Sequence, residues 1–149
     1  MQVYRIGKKQ YANDLSGTGS KLYGGRWNAV GTPCIYTSAS RALAVLEYSV
    51  NVNIDFIPKH LCMTTFEIED SKIHSIPLKN LPKDWNVLPS HLSSKTLGTE
   101  LLQKDIPIIR FPSVVIPSEF NYILNPLSSK KAFKLIATED FSYDLRIKA

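Results

Sequence analysis

The sequence predicts an α+β fold, a single domain over residues 1–149 with a mixed, largely antiparallel, bent sheet and a few helices. Three observations predict it. Short runs rich in β-branched and aromatic residues recur along the chain, as at Leu61 to Ile68 and Ile106 to Ile116. Two proline-free stretches, Ala39 to about Asn51 and Ser93 or Ser94 to Lys104, carry helical spacing. The 149 residues are 44% hydrophobic, enough for one real core and too few for two comfortable ones, and no repeat, low-complexity tract or linker divides them.

Taken in order, Val3 to Ile6 reads as a short strand carrying Arg5, and Lys8 to Gly19 as a polar loop ending in Ser16-Gly17-Thr18-Gly19. That loop lacks the strand-then-helix setting of a dinucleotide fingerprint, so it is taken as plain loop. Gly24-Gly25 and Gly31-Thr32-Pro33 bracket a turn before a strand at Cys34 to Thr37. Leu61 to Ile68 is a strand, and Lys72 to Ile76 a second one across an Asp70-Ser71 turn. Pro77, Pro82 and Pro89 make the segment to His91 a loop with room for one helical turn. Pro107 and Pro112 break Ile106 to Ile116 into two abutting strands at an edge or bulge. Phe120 to Pro126 reads as a turn because of Asn121 and Asn125. The alternations Phe133, Leu135, Ala137 and Tyr143, Leu145, Ile147 predict two last strands.

The formal net charge is +5, but the basic residues are scattered. Scattered cations suit an anionic ligand or acidic partner and argue against a dedicated nucleic-acid surface. Cys34 and Cys62 sit inside predicted strands without metal spacing, which points to buried free thiols in a reducing compartment. The start Met1-Gln2-Val3-Tyr4-Arg5 has no signal-peptide pattern, and no run approaches the ~18 apolar residues of a membrane span. A cytoplasmic protein is expected.

The chemistry is expected in Tyr23 to Glu47. There a glycine pair, Arg26 beside Trp27, Tyr36 closing an apolar run and Glu47 occur together. Leu43, Leu46, Glu47 and Val50 share one helix face, so Glu47 lies on the side that should be buried. A carboxylate there needs a cation or a polar ligand. Either an ion pair with Arg26 or Arg5, or a wetted pocket, meets that need.

His60, His74 and His91 are far apart in sequence, and neither H-x-x-x-H nor C-x-x-C occurs, so a metal site is not expected. There is no G-x-S-x-G elbow and no phosphate-binding G-x-x-x-x-G-K-[ST] loop. A glutamate with arginines, a tyrosine and a serine remains. This set suits cleavage at a sugar C1 carbon bearing a good leaving group, where one carboxylate stabilises the developing oxocarbenium ion. Arginines then hold a diphosphate and an aromatic ring stacks on the base.

Arg5, Gly24-Gly25-Arg26-Trp27-Asn28, Ile35-Tyr36-Thr37-Ser38, Ala42-Leu43-Ala44 with Glu47, Pro112-Ser113-Val114-Val115-Ile116-Pro117 and Asn121-Tyr122-Ile123-Leu124-Asn125-Pro126 together resemble the RES domain. That family is named for its Arg, Glu and Ser, and forms the toxin half of bacterial RES–Xre toxin–antitoxin pairs. The likeness runs over nearly the whole chain and departs at Glu100-Leu101 and Leu127-Ser128-Ser129.

The resemblance implies a fold similar to ADP-ribosyltransferases and a toxin that consumes NAD as substrate, without a metal, by phosphorolysis or hydrolysis. The alternative within the family is ADP-ribosyl transfer to a protein. By position, Glu47 and Arg26 are the implied catalytic residues, and Arg5, Arg26, Tyr36 and Ser113 the implied dinucleotide-binding ones. An Xre-type antitoxin is the implied partner, with inorganic phosphate a further one if the reaction is phosphorolysis, and nucleic acid is met only through the antitoxin. From other classes, a non-catalytic nucleic-acid- or protein-binding module using Arg26 and Trp27, or an RNA-cleaving toxin, remains open on sequence grounds.

Overall fold

The computed structural model describes residues 1–148. Seven strands, β1 (Gln2–Lys8), β2 (Ile35–Ser38), β3 (Leu61–Ile68), β4 (Ile73–Ser75), β5 (Ile108–Pro112), β6 (Phe120–Leu124) and β7 (Phe133–Phe141), join in one sheet of order β4-β5-β6-β2-β1-β3-β7. Every neighbouring pair is antiparallel except β4 with β5. The helices are α1 (Thr18–Tyr23), α2 (Arg41–Asn51) and α3 (Leu92–Gln103). The predicted α+β class with a largely antiparallel sheet is therefore observed. A register shift at Thr65/Phe66 in the β3–β7 pair is the kind of irregularity that bends a sheet.

Residues one apart on a strand face opposite sides, and both sides of this sheet are covered. Ile108 and Leu124 join Val3, Ile35 and Phe66 in one apolar cluster. Ile109, Phe111 and Ile123 join Trp27, Cys34 and Leu102 in the other, against which Leu97 and Leu101 of α3 also pack. Helix α2 lies on β1 and β2.

Several local expectations are corrected by long-range pairing. β4 does not form a hairpin with β3, because β3 already has β1 on one side and β7 on the other. It crosses instead to the far edge and runs parallel to β5. The segment read as a turn at Phe120 to Pro126 holds a central strand, β6, whose Tyr122, Ile123 and Leu124 are buried. The proline-bounded stretch forms one interior strand rather than two edge strands; Pro107 precedes it and Pro112 takes its last position, where a missing N–H costs least. The two closing strands are one, β7, followed by a 3-10 turn at Leu145–Ile147 begun by the Asp144 carboxylate accepting from the Arg146 N–H.

The predicted loop from Lys8 holds a 3-10 turn at Lys9–Tyr11 and the start of α1. Helix α3 starts from His91; Ser93 donates its hydroxyl to Asp84 Oδ1 at 2.6 Å, and Ser94 is fully buried without a partner among the described residues. Val50 is turned outward at 54% exposure rather than into the core. Cys34 and Cys62 are free and buried, and burial pushes the Cys34 thiol up to about 12. Among the described residues no helix is long and apolar enough to cross a membrane.

Candidate active site

The site exists because two neighbouring strands part. β1 is paired with β3 at all seven of its residues, but with β2 at a single pair, Tyr4 opposite Ser38. Beyond that pair the strands diverge, and two adjoining cavities of about 530 and 240 Å³ open between and beside them. Both cavities are bordered by Arg5 and Ile6 of β1 and by Tyr36 of β2. One guanidinium is thus within reach of both compartments.

Glu47 lines the smaller one. Helix α2 is capped by Ser40, whose hydroxyl oxygen accepts from the Leu43 N–H at 3.0 Å. Leu43 and Ala44 are buried below it, which sets the helix phase and turns Glu47, one turn on, into the cleft. Its Oε1 accepts from Ser113 Oγ at 2.6 Å and from Asn121 Nδ2 at 2.7 Å. The direction of both bonds is determined by their surroundings. Ser113 Oγ accepts from the Val115 and Ile116 N–H groups at 3.1 and 3.2 Å, so its single proton points at Glu47. Ser38 donates to Asn121 Oδ1 at 2.7 Å, leaving the Asn121 amide nitrogen for the carboxylate.

No ion pair among the described residues includes Glu47, so the Arg26 or Arg5 pairing weighed above is absent. Glu47 Oε2 has no hydrogen-bond partner among those residues. The carboxylate is gripped by one oxygen and open at the other, and neutral donors stabilise its charge without cancelling it.

The Gly24-Gly25-Arg26-Trp27-Asn28 segment is clamped from two sides. From α3, Lys95 Nζ donates to the Gly25 carbonyl at 2.5 Å, and Thr99 Oγ1 accepts from the Ala29 N–H at 2.9 Å. From β2, the Tyr36 hydroxyl donates to Asn28 Oδ1 at 2.6 Å and accepts from the Trp27 N–H at 3.0 Å. A Cβ at Gly25 would come within 2.5 Å of that hydroxyl, so glycine is what admits it. Burial holds the Tyr36 phenol protonated, well above its ordinary range, so it remains a donor. Asn28 completes the tie by donating Nδ2 to the Ser20 and Thr32 carbonyls, each at 2.9 Å.

The five candidate residues thus fall into different positions. Glu47, Arg5 and Tyr36 border the cleft, Tyr36 with its ring edge committed to the glycine segment. Ser113 is fully buried and reaches the cleft only through Glu47. Arg26 lines neither cavity; its Nη1 donates to the Trp85 and Val87 carbonyls at 2.8 and 3.0 Å, and burial lowers its pKa, an effect the Glu47 charge partly opposes. Trp27 is not a free flat face, being buried and stacked on Phe111 with centroids 3.8 Å apart. Sequence reasoning missed Asn121 and Asn28. In the sequence Asn121 reads as turn chemistry, and Asn28 stands only as the last residue of the glycine motif, with no role of its own.

A largely antiparallel sheet whose parted strands border a helix-borne glutamate defines an α+β domain. The solved structure of the Mycobacterium tuberculosis MbcT–MbcA toxin–antitoxin complex contains a chain of this fold, matching with a TM-score of 0.76 at 16% identity over 95% of this chain and 84% of that one. The RES domain profile matches residues 2–146. The chain belongs to the RES domain family. It is 34% identical to Toxin Res of Photorhabdus laumondii over 99% of this chain and 97% of that protein. It is also 35% identical to the Prs ADP-ribosylating toxin of a Sphingobium species, over 91% of this chain and 88% of that protein.

Proposed function

We propose that this protein is the toxin of a bacterial toxin–antitoxin pair and consumes NAD by cleaving its nicotinamide–ribose bond. The observation that carries the reading is Glu47, an open carboxylate in no ion pair among the described residues, set in the smaller of two adjoining compartments that share Arg5 and Tyr36. Relatives named as toxins, across almost the full length of both chains, support it.

The chemistry asks little else of the protein. When the C1′–N bond breaks, its electron pair passes to the nicotinamide ring and neutralises the ring's positive charge, so no general acid is needed. The ribose is left with oxocarbenium character, and Glu47 Oε2 stabilises it electrostatically. Arg5 holds the diphosphate from the shared wall, and the Tyr36 ring borders the nicotinamide side. Ser113 and Asn121 position the carboxylate. Arg26 acts at a distance, through its charge and by fixing the 85–87 segment. Phosphate or water then bonds to C1′ and gives ADP-ribose-1″-phosphate or ADP-ribose. ADP-ribosyl transfer to a protein is the second reading, favoured by the name of the Sphingobium relative. The partner is an antitoxin, a reading supported by the toxin–antitoxin complex that holds the structural neighbour; we further propose that it is of the Xre type and that both act in the cytoplasm.

The test is proton and phosphorus NMR of NAD with the purified chain, with and without phosphate. Nicotinamide release is expected; phosphate dependence identifies a phosphorylase, and release in both buffers a hydrolase. No release in either buffer, together with no transfer of labelled ADP-ribose to lysate proteins, would sink the proposal. Within this reading, Asn121→Ala leaves Glu47 held by Ser113 alone. A hydrogen bond to a charged group contributes about 1.5–3 kcal/mol, so kcat is expected to fall roughly 10–100-fold. KM should change far less, because Asn121 acts through the carboxylate; steady-state kinetics over a range of NAD concentrations separates the two.

A further inference from the structure

We infer that the larger cavity receives the adenosine half of the dinucleotide and that Asp14, on its wall, makes the site select NAD over NADP. The inference rests on the NAD reading above and deepens it. Glu47 assigns the nicotinamide ribose to the 240 Å³ compartment, which leaves the diphosphate, second ribose and adenine for the 530 Å³ compartment across Arg5 and Tyr36.

The lining of that compartment sorts by the chemistry of those three groups. Its charged side chains are Arg5, Lys8 and Asp14. Arg5, at the shared boundary, and Lys8, further along β1, are the cations available to a diphosphate. Tyr11 and Tyr23 also border the cavity, yet are 56% and 83% exposed, so no part of this chain covers their rings. Rings open to solvent at a cavity mouth suit stacking on a purine.

Asp14 is the lone carboxylate on this wall. Its Oδ1 accepts from the Ser16 N–H at 2.9 Å and from the Ser16 hydroxyl, whose oxygen lies 2.6 Å from Thr18 Oγ1. These bonds hold Asp14 below the usual carboxylate range, so it is ionised at neutral pH. Oδ2 has no partner among the described residues. A fixed carboxylate with a free oxygen accepts hydrogen bonds from ribose hydroxyls and repels a phosphate in their place. NAD and NADP differ only by that phosphate. The segment read from the sequence as plain loop instead runs into α1, with Gly17, Thr18 and Gly19 lining the cavity, while Ser16 fixes its acidic residue.

The experiment separates this inference from the reading beneath it. Nicotinamide release from NAD by the wild-type protein judges the reading. The inference is judged by calorimetric binding of NAD and NADP to Glu47→Gln protein, with and without Asp14→Asn, which needs no turnover. NAD is expected to bind roughly 100-fold more tightly than NADP, since facing like charges costs several kcal/mol. Asp14→Asn should narrow that ratio at least tenfold, chiefly by tightening NADP, because the amide keeps an acceptor for Ser16 and removes the charge. Equal affinities in the parent protein, or a ratio that Asp14→Asn leaves unchanged, overturn the inference even where NAD is cleaved.

Discussion

Glu47→Gln is expected to reduce NAD turnover by about 10²–10³-fold, the loss associated with deleting one preorganised electrostatic contact to a transition state. The amide is nearly isosteric. Its Oε1 still accepts from Ser113 and Asn121, so the two bonds at 2.6 and 2.7 Å survive and the helix keeps its place. What disappears is the negative charge opposite the developing ribosyl cation. The melting temperature should therefore stay close to that of the parent, measured beside the nicotinamide assay. Turnover within threefold of wild type would remove Glu47 from the catalytic role, and a collapsed melting temperature would make its role structural.

Gly98→Ala is expected to cost about 3 kcal/mol or more, at the upper end of overpacking penalties. A Cβ on Gly98 would lie 1.8 Å from the Trp27 carbonyl oxygen and 2.7 Å from its carbon, and both are backbone atoms that cannot rotate away. The helix or the segment must retreat. Retreat loosens Lys95 from Gly25 and Thr99 from Ala29, and unseats Trp27 from Phe111. For a domain of this size the expected fall in melting temperature is roughly 6–12 °C, by thermal unfolding followed with circular dichroism. Activity at low temperature should drop as well, because the same segment anchors Tyr36. A melting temperature within 2 °C of wild type would show that the contact relaxes at no cost.

These two residues also show where sequence reasoning reaches. Glu47 was legible because the helix around it has a clear period, and a carboxylate among Leu43, Leu46 and Ala44 conflicts with that period. Gly98 carries no such local signal, since glycine only lowers helix propensity and the residue that needs its missing side chain, Trp27, is 71 positions away. Asn121 and Asn125 read as turn residues because that is their local preference. In the fold, Asn121 holds Glu47, and Asn125 donates to the Leu102 and Ile106 carbonyls at 3.0 Å each. The strand between them forms because burial of Tyr122, Ile123 and Leu124 outweighs the turn propensity of its ends.

Arg26 stands out for its glycine-and-tryptophan setting and Ser113 for standing in the right order, neither of which says where a side chain ends. Ser113 turns inward to position the carboxylate, and Arg26 spends donors on the Trp85 and Val87 carbonyls, 59 and 61 residues away. By itself the sequence determined the α+β class, the helix with its buried-side glutamate and the strands at β1, β2 and β3, because each is written in a local period or a local cap. Only the tertiary structure decided the order of the strands, the parting of β1 from β2 that opens the cleft, and the partners of Glu47. Those depend on which distant segments compete for the same sheet edge and the same polar atoms, a competition settled by burial and hydrogen-bond pairing across the whole chain rather than within any window of it.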